Sequence, residues 1–148
     1  MLTKSLSPLF ERELQKLKNE ISSFSTADNI WKPLPNTINS AGNLALHICG
    51  NLQHYIGAVL GKTGYQRERD LEFTKRNVSL SLIINEIDKT ISIVSAVLEK
   101  LDASRLNEIF PEEVGGKEWI TGAFLIHLLS HLSYHLGQIN YSRRYFSG

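Results

Sequence analysis

The chain has 148 residues, a length that suits one domain and at which folding buries roughly 68–70% of the unfolded surface. Sixteen Lys and Arg against 15 Asp and Glu leave a formal net charge of +1, too little for a global field that would recruit nucleic acid or an anionic membrane. A single cysteine, Cys49, excludes an intrachain disulfide and a cysteine-built metal cluster, suits a reducing cytoplasm, and is expected to serve as a small buried hydrophobe.

The opening "MLTKSLSPLFEREL" is amphipathic and charged from the start, with no apolar leader, and no run of 18 apolar residues occurs. A soluble cytoplasmic protein without membrane or nucleic-acid partners is expected. Ser7 and Pro8 read as the N-cap and first turn of a helix carrying Phe10, Leu14, Leu17, Ile21 and Phe24 at spacings of 4, 3, 4 and 3. "STADNIWKPLPNTIN" holds two prolines and several turn formers, so it reads as a loop. Ser40 or Asn39 then caps a second helix to about Leu60, with Leu44, Ile48, Tyr55, Ile56 and Val59 on its apolar side.

"GKTGYQRERDLEFTKRN" is glycine-punctuated and charged and reads as an exposed connection. From Ser79, a third helix places Leu80, Ile84, Ile87, Ile91, Val94, Leu98 and Leu101 on one stripe over about six turns. A second long connection, "DASRLNEIFPEEVGGKEWI", leads to Thr121 as N-cap of a fourth helix reaching about Tyr145. There is no alternating strand pattern and no internal repeat. Four amphipathic helices must bury their apolar sides against each other, so residues 1–148 are expected to form one all-α four-helix bundle, its two long connections allowing an order other than up-down-up-down.

The fourth helix carries the unusual feature. "HLLSHLSYHLGQ" sets His127, His131 and His135 at intervals of four. His131 and His135 stand about 6 Å apart along the axis and about 40° around it, so both rings can converge on one ion. His127 lies about 12 Å from His135, too far to join them on a straight helix. A third ligand must come from a facing helix, and the second helix offers His47 and His54, about 10 Å apart on nearly one face, between which periodicity does not choose.

These residues carry a resemblance. "HLSYHLGQI" resembles the H-x-x-x-H-x-G-Q signature of the DinB/YfiT-like four-helix metalloprotein superfamily, whose remaining histidine comes from the second helix. "WKPLPNTINSAGNLALHICGNLQHYIG" with "RERDLEF" is similar to an uncharacterised branch of it that carries an "H-x-x-G-N" element. The resemblance implies His47, His131 and His135 as ligands of a divalent transition metal, zinc or nickel. It also implies a homodimer and a small-molecule substrate, with a thiol among the candidates because the superfamily includes thiol-dependent transferases. Many relatives have arginine where this chain has Leu136.

Asn43 and Asn51 flank His47 at minus four and plus four, placed to orient its ring, and Gln138 is placed to orient His135. Gly137 reads as a close-packing residue, Trp31 and Trp119 as packing anchors. The charged run Arg67, Arg69, Asp70 and Glu72 reads as a solvated surface, so Arg67→Ala and Arg69→Ala are each expected to shift stability by no more than about 0.5 kcal/mol. No Ser-His-Asp arrangement or phosphate-binding glycine loop occurs. Metal-dependent hydrolysis, or transfer involving a low-molecular-weight thiol, is the expected function; a non-catalytic helical metal-binding or interaction protein is the alternative.

Overall fold

A computed structural model of the chain describes residues 2–147. Helix α1 spans Leu2–Ser22 and is followed by a 3₁₀ turn at Ala27–Trp31. Helix α2, Ala41–Leu52, continues without a break as a π-helix over Gln53–Leu60. A short α3, Arg69–Thr74, precedes α4, Leu80–Lys100; a 3₁₀ turn at Ala103–Asn107 and an irregular stretch lead to α5, Thr121–Ser147. Among the described residues the β pairings are two isolated bridges, Ile109 with Ile120 and Val114 with Lys117. The protein is thus all-α, its four long helices packed as a bundle.

The packing order differs from the chain order. Helix α1 lies mainly against α4 and α5, and α2 lies against α4 and α5 in turn, so the ring runs α1, α4, α2, α5. Consecutive long helices α1 and α2 are diagonal, as are α4 and α5. Each diagonal step crosses the end of the bundle, through residues 23–40 and 101–120.

Phe10, Leu14, Leu17 and Ile21 are buried as their spacing predicts, and Leu6 joins them. That burial draws the first turns into the helix: α1 starts at Leu2, and Ser7 and Pro8 lie inside it instead of beginning it. Pro8 forgoes one backbone bond, a local cost that the burial of Leu6 and Phe10 offsets. On α4 the predicted stripe is turned slightly. Ile83, Ile87, Thr90, Val94 and Leu98 are buried, while Leu80 is exposed and Ile84 and Ile91 are half-buried.

Ser40 caps α2 by accepting the Asn43 N–H, and Ser79 caps α4 by accepting that of Leu82. Thr121 is the first residue of α5 and not its cap: the carbonyl of Ile120 already accepts from Phe124, and the Thr121 N–H donates to Glu108. Trp31 packs on Gly42, where a Cβ would lie 2.8 Å from the indole, and Trp119 packs on Phe124 and donates to the Val114 carbonyl. Nearly every residue of α2 is buried, because it faces α4 and α5 on its flanks and α3 outside. Gly137, by contrast, meets nothing within 4 Å of a Cβ position and is exposed, so it does not serve close packing. No helix among the described residues is long and apolar enough to cross a membrane.

Leu14 is fully buried where α1 meets the rest of the bundle. Leu14→Ala is expected to lower the unfolding free energy by about 2–5 kcal/mol in a urea titration.

Candidate metal centre

Helices α2 and α5 bring His47, His131 and His135 together, with one ring nitrogen from each within 4.8 Å of the others. Nε2 of His131 stands 3.2 Å from Nε2 of His47 and 3.1 Å from Nε2 of His135. Tetrahedral ligation at ~2.0–2.1 Å sets ligand nitrogens about 3.3 Å apart. Those two spacings match ligation of one transition-metal ion, and His47 is buried while the two α5 histidines are half-buried. His131 and His135 share the face of α5 beside the buried row Leu128, Leu132, Leu136 and Ile139, which fixes the direction of that face.

Two of the rings are held from behind. Nδ1 of His47 is 3.0 Å from Oε1 of Glu72, and Nδ1 of His135 is 2.7 Å from Oε1 of Gln138. A carboxylate only accepts, so Nδ1 of His47 carries a proton, and in the neutral ring Nε2 then has its lone pair toward the cluster. Arg67 grips the same carboxylate with two bonds of 2.9 Å, Nε to Oε2 and Nη2 to Oε1. The bonded pair is nearly dry, with side-chain exposures of 11% for Arg67 and 7% for Glu72. Burial works to raise the Glu72 pKa, but the hydrogen bonds from His47 and Arg67 and the guanidinium charge outweigh it, and the carboxyl titrates below its ordinary value.

Gly50 makes this possible. A Cβ there would lie 1.9 Å from Oε2 of Glu72, so only glycine lets the carboxylate rest on α2 beside His47. Asn43 holds α3 in place and does not orient His47: its Nδ2 donates to the carbonyls of Glu72 and Lys75, and its Oδ1 accepts from Ser40 and Arg76. The run expected to be a solvated surface is therefore in part a structural element. Arg67 and Glu72 turn inward, whereas Arg69 and Asp70 remain exposed.

The other histidines stand apart. His54 meets Glu112 at 3.0 Å, and His127 stacks on Trp119 and Phe124 with its ring exposed. Leu136 is buried in the core. Cys49 is buried too, and burial pushes its thiol up to about 12, so it is inert. Burial, then the neighbouring His135 and His47, bring His131 down to about 4. Burial also holds His135 below its ordinary value, although the bond to Gln138 pulls the other way. Both rings are therefore neutral, the state in which imidazole ligates metal.

A family profile described as "Protein of unknown function (DUF1572)" matches residues 4–148. No curated protein and no solved structure shows significant similarity to the chain.

Removing Arg67 leaves a buried carboxylate with one partner fewer, so Arg67→Ala is expected to cost about 3 kcal/mol in denaturant unfolding, while exposed Arg69→Ala stays within about 0.5 kcal/mol. Equal, small effects would mean that the pair contributes nothing. A pH effect follows from His131 and His135. Their folded values lie below the unfolded 6.5, so in that interval the unfolded chain binds more protons and stability rises with pH. The Tm of the metal-free protein is expected to fall as pH drops from 6.5 toward 4, and a His131→Asn variant to show a shallower slope.

Proposed function

The chain belongs to the DUF1572 family of proteins of unknown function, and we propose that it is a metal-dependent enzyme whose ion is held by His47, His131 and His135. The convergence of three Nε2-bearing rings, two of them tethered through Nδ1, is the observation that carries this reading. When bound, a zinc or nickel ion supplies Lewis acidity toward a water or thiol ligand, lowering its pKa. A set of three protein ligands leaves a position for such a ligand, unlike the four-residue sets of structural zinc sites.

The chain's own residues prepare the site. Glu72 fixes the tautomer of His47, Arg67 keeps Glu72 ionised, and Gln138 sets the ring of His135. Burial keeps His131 free of a proton at neutral pH. The resemblance of "HLSYHLGQI" to the DinB/YfiT-like signature supports hydrolysis, or transfer involving a low-molecular-weight thiol, as the reaction class, on a small-molecule substrate. A homodimer is part of the proposal. Its support is the exposed Tyr134 and Tyr141 of α5, which with Ile38 line a groove of about 700 Å³ that also reaches His135.

Protein purified with its metal is expected to carry about one transition-metal ion per chain by plasma mass spectrometry. His47→Ala, His131→Ala and His135→Ala should each remove most of it, and His54→Ala should not. Unchanged metal content in the His131→Ala, His135→Ala double variant would refute the site.

A further inference from the structure

Next to the three histidines lies a cavity of about 190 Å³, bounded among others by His47, Asn51, Tyr55, Arg67, Arg69 and His127. We propose that this cavity binds a small carboxylate, the anionic end of the substrate. The proposal deepens the metal-enzyme reading and rests on it for what the anion is bound for, though not for the binding itself.

Asn51 provides the first argument. Its side chain lies one helical turn beyond His47, it is more than nine-tenths buried, and its Oδ1 has no hydrogen-bond partner among the described residues. A buried amide without a partner is uncommon in folded proteins and calls for one. The two edges of an amide have the same shape, so Asn51 can accept from a donor on the ligand or, turned over, donate to an anion's oxygen. This is also the residue of the "H-x-x-G-N" element left over once His47 and Gly50 have been accounted for.

Charge provides the second. No carboxylate lines the cavity, while two guanidinium groups do. Arg67 gives Nε and Nη2 to Glu72, which leaves Nη1 outside that pair, and its guanidinium carbon sits 5.9 Å from the centre of the Tyr55 ring. Arg69 lies over the Phe73 ring at 5.2 Å and forms no ion pair among the described residues. Of the two guanidinium groups on the cavity wall Arg67 is paired with Glu72 and Arg69 is not, while Glu68 and Asp70 lie on the far side of the same arginines; a divalent ion on the histidines would add positive charge. Arginine's planar fork matches a carboxylate. Size provides the third argument: at roughly 30 Å³ per water, the cavity takes an acid of two or three carbons, and Tyr55 and Phe124 offer such a ligand an apolar wall.

The test uses glycolate as probe and ethanolamine as its charge-reversed counterpart, titrated into isotope-labelled protein by NMR, both zinc-free and after zinc loading. Glycolate is expected to shift the Asn51 side-chain amide and the Arg67 and Arg69 Nε–H resonances saturably, with ethanolamine leaving them in place. Arg69→Gln, a change at an exposed position that leaves the fold intact, is expected to weaken glycolate binding about tenfold. Asn51→Leu should weaken it by a similar factor in a chain whose amide spectrum remains dispersed. Absence of saturable shifts in both forms, an equal response to ethanolamine, or arginine shifts that persist unchanged in Asn51→Leu would overturn the proposal. Zinc stoichiometry on the same samples separates the two readings. A chain that takes up no zinc refutes the metal centre, while the glycolate shifts of that zinc-free protein still decide the cavity.

Discussion

One carboxylate organises this site. Glu72 accepts from His47 on one side and from Arg67 on the other, and it rests on the bare backbone of Gly50. Each partner needs the others. Without Arg67 the carboxylate would be a buried charge with the His47 N–H as its one remaining side-chain partner, an arrangement whose desolvation is poorly compensated. Without Gly50 it would have no room. Because the guanidinium meets its charge, Glu72 acts toward His47 as a hydrogen-bond acceptor that sets a tautomer, and the lone pair of Nε2 points at the rings of α5. Asn43 secures the arrangement from further out by binding the carbonyls of Glu72 and Lys75, which ties the short α3 to the start of α2.

The ring order of the bundle gives this contact its place. With α1 and α2 diagonal, α2 has α4 and α5 on its flanks and its outer side open to α3. His47 then looks toward α5, while Cys49 and Gln53 look toward α4, where Gln53 donates to Glu86 and Thr90. The helix widens into its π segment at Gln53, just past Asn51 and before His54 and Tyr55. Segments of this kind recur at functional sites because the wider turn redirects side chains. Here the residues after the change reach different partners: His54 meets Glu112, and Tyr55 lies against Phe124 and under Arg67.

Much of this was legible in the sequence, and the parts that were not have physical reasons. The i, i+4 spacing of His131 and His135 is a local property, so it survives folding unchanged. The choice between His47 and His54 is not local, since both sit on nearly one face and the answer depends on how far along α2 the α5 pair lies. The apolar spacing of α4 contained two overlapping stripes, and the neighbours decided that Ile83 and Thr90 would face inward and Leu80 outward. Glu72 and Arg67 were hidden because composition sees only a charge run, and a charge run is usually solvated. The signal that pointed to them was Gly50: a glycine in the middle of a buried helix, three residues after His47, marks a place where something presses on the backbone.

Net charge illustrates the same limit on a larger scale. A surplus of +1 over the whole chain rules out long-range steering of a polyanion, because the average field is small and solvent screens it within about 10 Å. It says little about a cavity a few ångströms wide. There the balance is set by the groups on the rim, by how dry they are and by which charges are already committed. Glu72 consumes one edge of Arg67, and the His131 and His135 imidazoles are kept neutral by burial and by the neighbouring rings. What remains uncommitted at the rim is the rest of Arg67 and the exposed Arg69, beside an amide that has no partner. A nearly neutral chain thus carries a recess lined by two guanidinium groups and, among the described residues, no carboxylate, because the buried carboxylate nearest to it is turned to a histidine.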